Sequence, residues 1–192
     1  NSMYRGVLID KENRTNYTNY ESADITGLTV TGTGGPGAKT PNIAEAAVEI
    51  NATGAWLEDV LIDGCSNVGL RMYFTDASTT VRNMTVKDAG DAGAGAGAHA
   101  SGVAVRSSYF APTFEGLSVT GSPGSGVHAS GGGSMQGHTW NLSGNTEYGL
   151  RVDMAEVIVD GLLLDGNGFA GAFIEDGRSV ELSNLTASNN GQ

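Results

Sequence analysis

Cysteine is nearly absent from this sequence, and basic residues are few beside acidic ones. Cys65 is the single cysteine in 192 residues, so no intrachain disulfide can staple the fold. Lys and Arg number 10 against 21 Asp and Glu, a net charge of −11. Backbone recognition of nucleic acid needs clustered Lys and Arg, and docking on anionic lipid needs the same, so the balance argues against both. No stretch approaches the roughly 18 consecutive apolar residues of a membrane span, so membrane insertion is not expected. A basic start followed by an apolar run is missing too, and no signal peptide is expected. The last residues, Asn189-Asn190-Gly191-Gln192, fall in mid-pattern, as expected for a piece of a longer protein.

Glycine is plentiful, with 30 residues against four prolines, which points to many tight turns rather than a disordered linker. The turns have a period. A motif of turn residue, apolar, any residue, apolar recurs as Gly27-Leu28-Thr29-Val30, Asp59-Val60-Leu61-Ile62, Asn83-Met84-Thr85-Val86 and Gly116-Leu117-Ser118-Val119. It returns as Thr139-Trp140-Asn141-Leu142, Gly161-Leu162-Leu163-Leu164 and Asn184-Leu185-Thr186-Ala187. A second motif interleaves with it: Ala47-Val48-Glu49-Ile50, Gly69-Leu70-Arg71-Met72, Gly102-Val103-Ala104-Val105, Gly126-Val127-His128-Ala129, Gly149-Leu150-Arg151-Val152 and Gly171-Ala172-Phe173-Ile174. Four of its five intervals are 22 to 24 residues. A weaker third strand precedes the first motif, marked by Ala55 and Leu57, Thr79 and Val81, Pro112 and Phe114, Val157 and Val159, and Val180 and Leu182.

Three short alternating strands per period, with Gly, Asn or Asp at the corners, describe one coil of a solenoid. No coil can bury its own apolar face, so the coils must fold as a stack. The expectation is an all-β, right-handed, single-stranded parallel β-helix of about seven coils of about 23 residues with three strands each. It would span residues 25–192, with 1–24 as an N-terminal capping segment that includes a strand near Tyr4 to Ile9. The periodicity resembles that of right-handed β-helix proteins of the pectate-lyase-like superfamily. That resemblance implies carbohydrate as the commonest ligand class, by fold analogy alone.

Most coils spend ten residues between the first and second apolar marks, but Leu28 to Val48 takes twenty and Met84 to Val103 nineteen. Both insertions, 33–46 and 89–101, leave from one corner, where they would either wall a groove or serve as surface loops without a role. The outward positions of the second strand form two columns. One runs Glu49, Arg71, Ala104, His128, Arg151, Phe173; the other Asn51, Tyr73, Arg106, Ser130, Asp153, Glu175. Three of the ten basic residues fall here with a histidine and a tyrosine. Guanidinium groups fork onto carboxylates and rings stack on sugar faces, so this strip suits an acidic or hydroxyl-rich glycan. The candidate binding residues are Glu49, Arg71, Tyr73, Arg106, His128 and Arg151, with His99 from the second loop. The alternative is that the arginines pair with Glu49, Asp153 and Glu175 and only solvate the sheet.

Catalytic signatures are sparse. Polygalacturonase-like motifs fail at Gly137-His138-Thr139, and no paired aspartates stand in for them. A lyase or epimerase would have to draw on Arg71, Tyr73, His128 and Arg151. A calcium site could use Asp88 and Asp91, but Asp88-Ala89-Gly90-Asp91 lacks the ligand density of a calcium loop; no cofactor is expected, with calcium as the alternative. His99, His128 and His138 fall on different faces, and Cys65 reads as a packed thiol beside Gly64. Sequons at Asn13, Asn16, Asn51, Asn83, Asn141 and Asn184 are consistent with an external protein. The expected function is therefore a non-catalytic carbohydrate-binding or adhesive module of an extracellular or cell-surface protein, able to self-associate through exposed β-helix ends. The alternatives are a polysaccharide lyase or epimerase acting on an acidic glycan, and a purely structural rod.

Overall fold

A computed structural model describes residues 6–10, 22–32, 46–51, 54–73, 79–90, 100–106 and 111–191. Among them lie eighteen strands, every pairing parallel, in two curled sheets. The first sheet has seven strands in chain order: β1 (Val7–Asp10), β4 (Ala46–Asn51), β7 (Val68–Tyr73), β10 (Val103–Arg106), β13 (Val127–Ser130), β15 (Tyr148–Asp153) and β17 (Ala170–Glu175). The second sheet has eleven. One limb starts with β2 (Ser22–Thr26), β5 (Gly54–Glu58), β8 (Thr80–Arg82) and β11 (Thr113–Glu115). The other starts with β3 (Thr29–Thr31), β6 (Leu61–Asp63), β9 (Thr85–Lys87) and β12 (Ser118–Thr120). The limbs then merge into three long bent strands: β14 (Ser134–Ser143), β16 (Glu156–Asp165) and β18 (Ser179–Ser188).

The chain thus visits the second sheet twice for each visit to the first, and each strand pairs with its equivalent one repeat on. The period misses β1, which nevertheless occupies the first position of the seven-stranded sheet, with Val7 opposite Val48 and Ile9 opposite Ile50.

Period-two alternation sends one set of side chains inward. Leu70, Val103, Val127, Leu150 and Ala172 stand opposite one another on successive strands, and the first four are fully buried. Each buried aliphatic side chain of this kind contributes roughly 1.5–3 kcal/mol. At the last strands the stack is open. Ile174 and Leu185, inward by register, are 48% and 46% exposed.

Two columns of left-handed residues turn the corners. Gly27, Asp59, Asn83, Gly116, Thr139, Gly161 and Asn184 form one, and Gly32, Gly64, Asp88, Gly121, Gly144, Gly166 and Asn189 the other, with φ between 49° and 76° throughout. Glycine, asparagine and aspartate dominate because a Cβ is penalised in this conformation, least so beside a short polar side chain.

The residue after the second corner points inward, where Cys65, Ala89, Ser122, Asn145, Asn167 and Asn190 succeed one another. The asparagines form a ladder. Asn145 donates from its backbone N–H and from Nδ2 to Asn167 Oδ1, both at 3.1 Å. Asn167 repeats the pair onto Asn190 Oδ1, both at 3.0 Å. Each Nδ2 also donates to a strand carbonyl one repeat earlier in the stack: Val119, Leu142 and Leu164 in turn. These side chains satisfy backbone groups that a bare turn would bury unpaired.

Candidate functional site

The outward face of the seven-stranded sheet carries the candidate residues in the two expected columns. Glu49 stands opposite Arg71, Arg71 opposite Ala104, Ala104 opposite His128, His128 opposite Arg151 and Arg151 opposite Phe173. In the second column Asn51, Tyr73, Arg106, Ser130, Asp153 and Glu175 follow in register. His99 lies outside the described residues, as do 33–45 and 91–99 of the two insertions, and Asp91 with them.

The strip is not uniform. Glu49, Ala104 and His128 are buried although they point away from the core, whereas Arg106 is exposed. The Arg71 and Arg106 guanidinium carbons lie 5.2 and 5.8 Å from the centroid of the Tyr73 ring. This cation–π clamp holds the ring between the two guanidinium groups, and Arg106 stays exposed.

A second cluster lies further along the same face. His128 Nε2 is 2.8 Å from Asp153 Oδ2, and Arg151 Nε donates to both Asp153 oxygens at 3.2 and 3.0 Å. Burial pushes the His128 pKa below its ordinary value, against the hydrogen bond and charge of Asp153 and with the charges of Arg151 and Arg106. Burial thus favours the neutral imidazole. Because a carboxylate only accepts, Nε2 carries the proton, which leaves Nδ1 as a buried acceptor without a partner among the described residues. Beside this group Glu147 is buried, which raises its carboxyl pKa against the opposing charge of Arg151.

Aromatic rings complete the face. Tyr148 and Phe173 stack with centroids 5.0 Å apart and planes at 27°, and Phe169 meets Tyr148 edge-on at 5.8 Å. The Arg151 guanidinium lies 5.7 Å from the Phe173 centroid. Phe169 is 52% exposed and Phe173 36%. Strict alternation from Leu150 would send Tyr148 inward. Gly149 breaks the phase, since a side chain there would run into Leu164 and the carbonyls of Leu142 and Gly171. The glycine and Leu150 both face the core, and Tyr148 comes out on the arginine side. Val68, before Gly69, joins Ala46 and Ala104 in a small apolar cluster apart from the main core.

No known protein family, curated protein or solved structure matches this chain. The site must be read from its own chemistry. Fixed guanidinium groups beside exposed, stacked rings can pair with carboxylates or hydroxyls and cover an apolar sugar face. His138, by contrast, stands on the second sheet, 3.9 Å from Asp160. Cys65 is buried, its thiol turned toward the Asp63 carbonyl. Asp88 is exposed at its corner, and among the described residues no three His, Cys, Asp or Glu side chains converge on one point.

Proposed function

We propose that this chain is a non-catalytic glycan-binding module of an extracellular or cell-surface protein. In this reading the stack is a right-handed, single-stranded parallel β-helix of about seven coils, akin to the pectate-lyase-like superfamily. The observation that carries the reading is the strip from Arg71 and Tyr73 through Arg106 to Arg151, continued by the stacked Tyr148 and Phe173 on one outward face. On a chain of net charge −11 this is a local concentration of cations and rings, and it suits an acidic glycan laid along the stack axis.

Lyase or epimerase chemistry at the same place would need a base that substrate can reach. His128 is 5% exposed, with Nε2 committed to Asp153, which favours binding over proton abstraction. Calorimetric titration with oligogalacturonate, alginate and hyaluronan oligomers, alongside a glycan array, tests the proposal. Arg71→Ala/Arg151→Ala should abolish binding with little change in melting temperature, Tyr73→Ala and Phe173→Ala should weaken it less, and all binding should fade with salt. Failure of every acidic oligomer to bind at low salt overturns the reading, and release of unsaturated product would replace it with a lyase.

A further inference from the structure

The outer side of the second sheet carries a groove of about 570 Å³, within the roughly 300–1,000 Å³ of small-ligand sites. Two outward rows flank it. Gln136, Ile158 and Glu181 face one another on successive strands, and so do His138, Asp160 and Ser183. Among the described residues no lysine or arginine lines it, so its character is opposite to that of the arginine face.

Its polar groups are held in place. Asp160 Oδ1 accepts from Ser183 Oγ and Asn184 Nδ2, both at 2.6 Å, while Oδ2 stays on the His138 side. Those two donors hold the carboxyl below the usual carboxylate range. Gln136 Nε2 donates to Thr113 Oγ1 at 2.9 Å, which orients the amide and leaves its oxygen to accept. Between Gln136 and Glu181, Ile158 is 40% exposed and gives that flank an apolar side chain.

Preset acceptors beside an exposed aliphatic side chain match a ligand that offers hydroxyl donors along its edge and C–H groups on its face. Anionic ligands are repelled by Asp160 and Glu181. We infer that this groove is a second binding site, for a neutral, hydroxyl-rich sugar of one or two hexose units. It is independent of the arginine face, and its ligand carries no charge.

The test is a ¹H–¹⁵N NMR titration with cellotetraose, maltotetraose and mannotetraose, each run with and without calcium chloride. At least one sugar should shift amides 136–138, 158–160 and 181–183 saturably without calcium, and leave those of Arg106 and Arg151 unmoved. Asp160→Asn/Glu181→Gln should weaken that binding at least tenfold, and Ile158→Ser, a change at a half-exposed position, several-fold. Three results would overturn the inference: no response to any of the three sugars, a response to calcium alone, or equal binding by the variants. Acidic oligomers report on the arginine face and neutral ones on the groove, so either reading can fail without the other.

Discussion

The indole of Trp140 stands where a side chain on Gly137 would have to go. A Cβ at Gly137 would collide with Trp140 Nε1 and with the Phe114 carbonyl. The same Nε1 donates to that carbonyl at 3.1 Å, and the ring meets Phe114 edge-on at 5.8 Å and 82°. Neighbouring strands place Phe114 and Val159 opposite this glycine, so one large residue three positions on fills the layer instead. Gly137→Ala should therefore cost about 1–3 kcal/mol by overpacking. Trp140→Leu should relieve part of the clash, making the double variant more stable than the sum of the single effects. Denaturant melts of the four proteins measure this coupling.

Thr139 is the one β-branched residue in its corner column, at φ 58°. Left-handed backbone costs an ordinary residue about 1–2 kcal/mol, and asparagine pays less. Thr139→Asn should raise stability by about 1 kcal/mol, read as a higher denaturation midpoint at unchanged slope.

Asn167 carries more of the turn than any propensity scale conveys. Its side chain accepts twice from Asn145 and donates to Leu142 O and Asn190 Oδ1. Asn167→Ala would strand the amide groups of Asn145 and a buried carbonyl, a loss of about 3–5 kcal/mol. Cys65 holds the same inward position near the other end with a single weak hydrogen bond, so Cys65→Ala should cost only about 1 kcal/mol. Equal losses at the two sites would show that the ladder adds nothing beyond packing.

His128 and Glu147 make stability depend on pH in opposite senses. The His128 pKa lies below its ordinary 6.5, so between the two values the unfolded chain holds a proton that the native state lacks. Its contribution is complete above 6.5 and is lost as pH falls toward the folded value. Glu147 is raised above 4.5, so its contribution is complete below 4.5 and is lost as pH rises through the folded value. Removing the Asp153 charge should lower His128 further. Asp153→Asn should thus move the imidazole NMR titration of His128 to lower pH, and a rise would contradict the assignment.

Strands β17 and β18 are edges among the described residues, each paired on one side only. With Ile174 and Leu185 exposed beside them, these edges are templates for further strands. Self-association should grow with concentration in sedimentation velocity, and Ile174→Lys/Leu185→Lys should suppress it. A wild-type monomer at high concentration would count against this face as the contact.

Parallel stacking and the register of the outward columns were legible because alternation and corner residues repeat together. Val127 opposite Leu150 and His128 opposite Arg151 follow directly from that repeat. Three features were not legible. Tyr148 sits outside because Gly149 resets the phase, and a glycine's direction leaves no trace in a pattern of side chains. The first half of β14, residues 134–138, escapes the apolar pattern because Gly137 gives its inward place to Trp140. The asparagine ladder reads locally as turn residues, since its bonds run between positions 22 to 26 residues apart.

That ladder also has a direction. The backbone N–H and Nδ2 of each asparagine wait for the Oδ1 of the next, so Asn145 is completed by Asn167 and Asn167 by Asn190. A ribosome releases the chain in this same order, at about 5–20 residues per second. Each turn leaving the tunnel would then lock the one made a second or more before it, and the protein would be built like a course of bricks, each layer set by the weight of the next.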